Sequence, residues 1–299
     1  MSVSKSSARR RCSEREQLAP FRAFPGDLVP RDAQDLIAYP FFTVAKTKRI
    51  VPIDFCAGAI AIRVEAMRKH GMAAIWDADV LIWAAHQIVE ARDTGLNTSR
   101  LMAAARYKIS TFVAHDTGAR EYDRLKTGLD RPQTMTAQTS IRHPTERRRH
   151  RCSWINEWKE RVDVNGRPFG LELILPDRFY TGVIDDGLVL TIGRTHFNLI
   201  GGLDRWPYRL LRKHGGRRRG GWSSDLVHLD ADFGIFLPLM HFAYDLRQIV
   251  QRQTLPGYLL VLTRDPNGTE RLNFVPGPVD PLTGTPAHRS LIPNSEDNL

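Results

Sequence analysis

The chain has 299 residues, of which 42% are hydrophobic, enough apolar material for one large packed domain or two of ordinary size. Lys and Arg outnumber Asp and Glu by 43 to 33, and the formal net charge of +10 favours a polyanionic partner over a merely basic surface. Three scattered cysteines without a CxxC pair argue against a disulfide framework, and no apolar run approaches the ~18 residues of a membrane span. These features predict a reduced, cytoplasmic protein.

The N-terminal part is predicted to be an irregular arm followed by a strand. Residues 1–35 are polar, contain proline and begin with a basic stretch, so we expect a mostly disordered arm. Ala59–Ala66 alternates Ile60, Ile62 and Val64 with smaller or polar residues, as a half-buried strand does.

Two helical segments follow that strand. Trp76–Arg92 is predicted to be an amphipathic helix, since its apolar residues recur at spacings of three and four. Asp77 and Asp79 lie in its first turn, where the helix dipole favours anions. Tyr107–Ala114 is predicted to be a second, shorter element.

A third helix and a basic hairpin complete the first unit. The helix is predicted at Arg120–Leu129 and should be ended by Pro132, because proline lacks an N–H donor and its ring clashes with the preceding turn. Strands at Thr134–Ile141 and Cys152–Trp158 flank an arginine-rich turn. The order of three helices and then a hairpin is typical of a winged helix.

The same outline recurs near the C-terminus. A strand at Leu171–Leu175 and a helical turn at Pro176–Gly182 come between, and Gly201–Gly202 marks the start of the second unit. Its apolar spacing and its DPNG turn predict three helices and a hairpin. The predicted helices are Asp204–Lys213, Ser223–Leu229 and Pro238–Gln253, and the predicted strands are Tyr258–Thr263 and Glu270–Phe274.

The predicted fold class is therefore α+β, with two tandem winged-helix domains, a disordered N-terminal arm and a disordered C-terminal tail. The predicted boundaries are 1–35 for the basic arm, 36–164 for the first winged-helix domain, 165–200 for connecting strands and a turn, 201–276 for the second winged-helix domain, and 277–299 for the tail.

In a winged helix, one helix enters the major groove of DNA while the hairpin and loops contact phosphates. Any outward residue on an amphipathic helix is solvated by default, so these residues are candidates. For base contacts we predict His241, Asp245, Gln248 and Arg252 in the second unit, and Arg120, Arg124 and Lys126 in the first. For backbone contacts we predict Tyr244, Arg247 and the loop residues Arg217, Arg218 and Arg219. The hairpin residues Arg147, Arg148, Arg149 and Arg151 should lie along phosphates or enter a minor groove.

The sequence offers no pattern for catalysis or for a cofactor. It has no Walker A loop, no GxGxxG and no metal-ligand spacing among its ten histidines. The nearest string to the His-apolar-His pair of a nickase is His228–Asp230, which lacks the second histidine. The first turn of a helix explains Asp77 and Asp79, and a β-turn explains Asp185–Asp186, better than a metal does. We therefore predict no catalytic residue, metal or cofactor.

Four stretches of the chain resemble the replication initiator protein A family of bacterial plasmids. They are Ile75–Met102, Thr139–Arg161, Leu188–Arg217 and His241–Tyr258, and the similarity extends over Phe21–Phe274. The resemblance implies a tandem winged-helix initiator that binds repeated double-stranded DNA sites at its own plasmid origin. It also implies host initiator and helicase as recruited partners, a role in copy control, and homodimerisation as in some members.

Two other functions stay open at this point. A winged-helix transcription regulator shares the architecture and favours an inverted repeat, whereas an initiator favours direct repeats. An origin-nicking enzyme would require metal-dependent cleavage and a reactive tyrosine.

Overall fold

A computed structural model describes residues 14–277 apart from 24–28, 114–116, 142–149, 186–187, 216–220 and 234–238. These residues form a mixed α+β fold. The helices are α1 Glu14–Gln17, α2 Gln34–Ala38, α3 Ala78–Asp93, α4 Arg106–Phe112, α5 Ala119–Thr134, α6 Asp177–Ile184, α7 Gly202–Gly215, α8 Leu226–Phe233 and α9 Leu239–Arg252, with a 3-10 turn at Arg194–Asn198. The strands are β1 Phe21–Arg22, β2 Arg31–Ala33, β3 Ile53–Ala57, β4 Ile60–Glu65, β5 Leu101–Ala104, β6 Thr136–Thr139, β7 His150–Cys152, β8 Glu157–Val162, β9 Pro168–Ile174, β10 Val189–Thr191, β11 Trp222–Asp225, β12 Tyr258–Arg264 and β13 Glu270–Pro276.

The elements from β1 to α6, here called the N-terminal unit, contain two sheets and a central helix. The strand orders are β3-β4-β6-β7 and β1-β5-β9-β8. Helix α3 packs against β2, α4 and α6, and its side chains are buried on almost every side. The predicted amphipathic helix is therefore a core helix, in which even His86 and Gln87 are 2% exposed.

The elements from α7 to β13, here called the C-terminal unit, follow the order helix, strand, helix, helix, hairpin. Strands β12 and β13 pair antiparallel in register from Tyr258↔Pro276 to Arg264↔Glu270, and β11 adds to β13. Helix α9 turns Phe242, Leu246 and Ile249 toward the core, as their spacing predicts. The predicted third helix and hairpin of this unit are confirmed.

Helix α7 joins the two units. Gly202 opens it, and a Cβ at that position would lie 2.2 Å from the carbonyl oxygen of Val44, so only glycine permits this approach. Arg209 of α7 forms a buried ion pair with Asp32 of β2 at 2.7 Å. Strand β10 also pairs with β2, so the connection is a packed junction.

Two predicted boundaries are wrong. The disordered arm was expected through residue 35, but residues 14–23 and 29–35 include α1, β1 and β2. Phe21 is 6% exposed, and Arg15 of α1 forms ion pairs with Glu157 and Glu172. Apolar and charged partners from distant strands thus order a segment that looked irregular alone. Residues 1–13 and 278–299 lie outside the described residues.

The segment expected to be a connection at 165–200 contributes to the N-terminal unit. Strand β9 pairs with β5 and with β8. In this sheet β5 and β9 are the central strands and β8 is an edge strand. For the same reason the predicted strand Cys152–Trp158 is divided. Its first residue ends β7, which pairs with β6, whereas Trp158 lies in β8 opposite Leu173.

Two local predictions also need correction. Helix α5 continues past Pro132 to Thr134, so this proline lies in the last turn rather than ending the helix. Its carbonyl accepts a hydrogen bond from the Trp154 backbone N–H at 3.0 Å. The helix predicted at Ser223–Leu229 is the end of β11 followed by α8, because pairing with β13 keeps Ser223 extended.

None of the described helices is long and apolar enough to cross a membrane.

Candidate nucleic-acid interface

The outward face of α9 carries polar side chains in a stripe. His241, Asp245, Gln248 and Arg252 recur at spacings of four, three and four, which places them on one side of a helix. His241 and Arg252 are exposed, Asp245 and Gln248 are half-buried, and Tyr244 beside them is 60% exposed. The structure therefore brings these predicted residues together on an accessible surface.

An ion-pair bridge connects α9 to the hairpin. Arg247 donates a hydrogen bond to Glu270 of β13 at 2.5 Å, and Arg264 of β12 donates to the other oxygen of Glu270 at 3.2 Å. The hydrogen bond from Arg247 is the main cause that lowers the pKa of Glu270, so its carboxylate is ionised at neutral pH. Sequence reasoning predicted Arg247 as a backbone contact and missed Glu270, which fixes its position.

Helix α5 presents its predicted cations on two different sides. Arg120 is exposed in the first turn, and no described carboxylate lies within 4 Å of it. Arg124 donates a hydrogen bond to Glu121 at 2.7 Å and remains 70% exposed. Lys126 lies about 200° around the helix from Arg124. It therefore does not share the face of Arg120 and Arg124. Lys126 forms an ion pair with Asp123 at 3.1 Å.

The arginines predicted at the hairpin of the N-terminal unit are described only in part. Arg151 of β7 has a side chain that is 64% exposed and lies 3.7 Å from Glu65 of β4. The remaining predicted arginines of this hairpin, and those of the loop in the C-terminal unit, lie outside the described residues. They are Arg147, Arg148, Arg149, Arg217, Arg218 and Arg219.

A partly buried ion pair holds α5 on the core. Arg131 donates hydrogen bonds to both carboxylate oxygens of Asp77, at 2.6 and 2.5 Å, and the Ala74 backbone N–H donates to the same group at 2.7 Å. Burial raises the pKa of Asp77, while Arg131 lowers it. Sequence reasoning explained Asp77 by the helix dipole, because no local pattern links residues 54 positions apart.

The fold of these units is shared with a solved protein. A crystal structure of domains 2 and 3 of RctB superimposes with a TM-score of 0.55 over 79% of this chain and 94% of that chain, at 13% sequence identity. A second RctB structure of domains 2 and 3 gives a TM-score of 0.53 over 79% of this chain and 95% of that one, at 12% identity. By fold, the protein is thus an α+β protein of the same class as these two domains.

Its sequence gives a narrower assignment. The family model for replication initiator protein A matches residues 31–260, and the chain belongs to that family. A relative from Wigglesworthia glossinidia brevipalpis, named "Putative replication protein", is 23% identical over 205 residues, which span 67% of this chain and 74% of the relative. The family predicted from the sequence is confirmed, and it supports a role in replication initiation.

Proposed function

We propose that the protein binds directly repeated double-stranded DNA sites at the origin of its plasmid and there recruits host replication proteins. Each unit acts as a winged helix, with α5 and α9 as the helices that enter major grooves. The protein works by binding and not as an enzyme. Family membership supports a role in initiation, whereas the mode of DNA binding rests on the surface itself.

The observation that carries this proposal is the outward face of α9, which lies beside a hairpin that is linked to the same helix by an ion pair. His241 and Gln248 offer ring and amide groups to base edges, and an amide matches the donor and acceptor pattern of adenine. The Glu270 bridge holds the hairpin against the same helix. A helix and a hairpin in fixed relation can contact a groove and its flanking phosphates together.

The test compares DNA from beside the gene with random DNA of equal length, across a salt series. We expect a preference of 10³-fold or more for the origin DNA, the low end for specific binders, with protection mapping to direct repeats. His241→Ala and Gln248→Ala should each reduce binding to origin DNA about 5- to 150-fold, because one good base contact is worth about 1–3 kcal/mol.

Asn198→Ala, at an exposed amide in the 3-10 turn, is the matched control and should bind as the wild type does. Equal affinity of the wild type for both DNAs would refute the proposal. Protection of an inverted repeat in a promoter would favour a transcription regulator, and metal-dependent cleavage of the origin would favour a nickase.

A further inference from the structure

Two loops of the N-terminal unit, residues 46–50 and 67–71, form a joined surface that is here called the basic loop pair. The Lys48 ammonium donates a hydrogen bond to the Lys69 carbonyl at 2.8 Å, and the Met72 N–H donates to the Arg49 carbonyl at 2.8 Å. Gly71 has a φ of +78°, and a Cβ there would lie 2.7 Å from Cγ of Lys48. The loops are therefore in close contact and held in one arrangement.

Four cations of the basic loop pair have no carboxylate partner among the described residues. Lys46, Lys48, Arg68 and Lys69 are all exposed, and no carboxylate of the described residues lies within 4 Å of any of them. Like charges on fixed loops repel one another, so the arrangement costs free energy until an anion neutralises it.

Several other exposed cations of the described surface have carboxylate partners. Arg63 contacts Asp54 at 2.8 Å, Lys159 contacts Glu157 at 3.1 Å and Arg264 contacts Glu270 at 3.2 Å. Arg120 and Arg167 are also exposed without a carboxylate of the described residues within 4 Å, but the basic loop pair brings four such cations onto two joined loops. Such a cluster suits an anion supplied from outside the chain.

The basic loop pair lies beside the C-terminal end of α5 and away from the hairpin turn. His70 Nδ1 is 3.8 Å from Asp130 of α5, which is 11 residues beyond Ala119 and hence about 16 Å along the helix. In the sheet, Glu65 pairs with Thr136, whereas the β6–β7 turn begins at the other end, beyond Thr139. The loops therefore lie on a different part of the N-terminal unit from the β6–β7 turn.

We propose that the basic loop pair binds the phosphodiester backbone of duplex DNA that flanks the segment contacted by α5. This inference rests on the proposed function, since it extends the path of the same DNA. Three exposed lysines and one exposed arginine without carboxylate partners suit phosphates, which are bound through their charge and require no base-specific geometry. Contact there means that the duplex continues along the N-terminal unit past the end of the recognised site.

The test uses two duplexes, one that covers only the recognised repeat and one with about two helical turns of added flank. The variant is Lys46→Gln/Arg68→Gln/Lys69→Gln, which keeps Lys48 and the Lys69 carbonyl that joins the loops. The control is Lys159→Gln/Arg161→Gln/Arg167→Gln, which removes the same charge from the β8–β9 hairpin.

We expect the wild type and the control to bind the long duplex more tightly than the short one, with a salt slope steeper by about 2 to 3, since each phosphate contact contributes about 0.9. The loop variant should bind the short duplex as the wild type does and gain nothing from the flanks. Unchanged thermal unfolding would show that the variant is folded.

If the loop variant keeps the full gain on the long duplex, or if the wild type shows no gain, the inference is wrong. Failure of the proposed function has a different signature, because the wild type would then show no preference for origin sequence on the short duplex, where the loops play no part.

Discussion

Arg205 is one of the largest fully buried side chains of the described residues, and each nitrogen of its guanidinium donates a hydrogen bond. It contacts both carboxylate oxygens of Asp79 at 2.8 and 2.7 Å, the Leu199 carbonyl at 2.7 Å and the Phe197 carbonyl at 3.0 Å. Burial raises the pKa of Asp79 to about 6, against the lowering effect of Arg205. The pair therefore depends on both members being present.

Removal of one member should destabilise the fold strongly. We expect Arg205→Met to lower the free energy of unfolding by about 3–5 kcal/mol, because Asp79 is then left buried without its countercharge. Asp79→Leu/Arg205→Met should recover part of that loss, since both charges are gone. Urea denaturation measures the difference, with Arg264→Met at an exposed pair as the control. A loss below about 1 kcal/mol for Arg205→Met would contradict the expectation.

His86 predicts a pH dependence of stability. It is 2% exposed and stacked on Phe112, and burial, followed by the charges of Arg194 and Arg31, lowers its pKa from 6.5 to about 4. The folded state thus keeps this ring neutral while the unfolded chain takes up a proton below pH 6.5. Its contribution to stability is present above about pH 6.5 and is lost as the pH falls toward 4.

We therefore expect His86→Gln to unfold at a urea midpoint that varies less between pH 4.5 and 7 than that of the wild type. His228→Gln, at a histidine whose side chain is 79% exposed, serves as the control. A wild type and a His86→Gln variant with parallel pH profiles would show that the buried ring is not the cause.

The contact between α9 and its hairpin gives a prediction about recognition. Glu270→Gln removes the countercharge of Arg247 and Arg264, so the hairpin is less firmly held against the helix. Exposed ion pairs contribute about 0–1 kcal/mol, and we expect little change in stability. Affinity for origin DNA should fall several-fold, while affinity for random DNA should not fall, since a negative charge has been removed. Fluorescence anisotropy on both DNAs tests this, with Asp54→Asn as the control.

Local sequence signals predicted the elements that depend on local physics. The apolar spacing of α9 and the DPNG turn of its hairpin predicted the ends of both elements within about two residues. The same spacing correctly predicted that His241 and Tyr244 are exposed. Features that depend on distant partners were missed. The strand at Ser223 needs β13, the position of Arg247 needs Glu270, and a buried Arg205 contradicts the usual behaviour of arginine.

For the molecule as a whole, the junction at α7 predicts a single unfolding transition. Two buried ion pairs, Arg205 with Asp79 and Arg209 with Asp32, cross between the units at 2.7 Å each. We expect calorimetry of the wild type to give one cooperative transition. Asp32→Asn/Asp79→Asn should separate it into two, because neither unit then holds the other in place. One transition for that variant, merely shifted to a lower temperature, would contradict this view of the junction.

Gly202 has a consequence for the DNA as well as for the protein. Since nothing larger fits beside the carbonyl oxygen of Val44, α7 starts at a fixed point on the N-terminal unit. The distance between α5 and α9 is then fixed within narrow limits. Five base pairs inserted into the middle of an origin site turn its two ends about half a revolution apart. Such a site should be bound as if one end were absent. Ten inserted base pairs would restore the angle between the two ends, but the site would still be longer than the distance between the two helices.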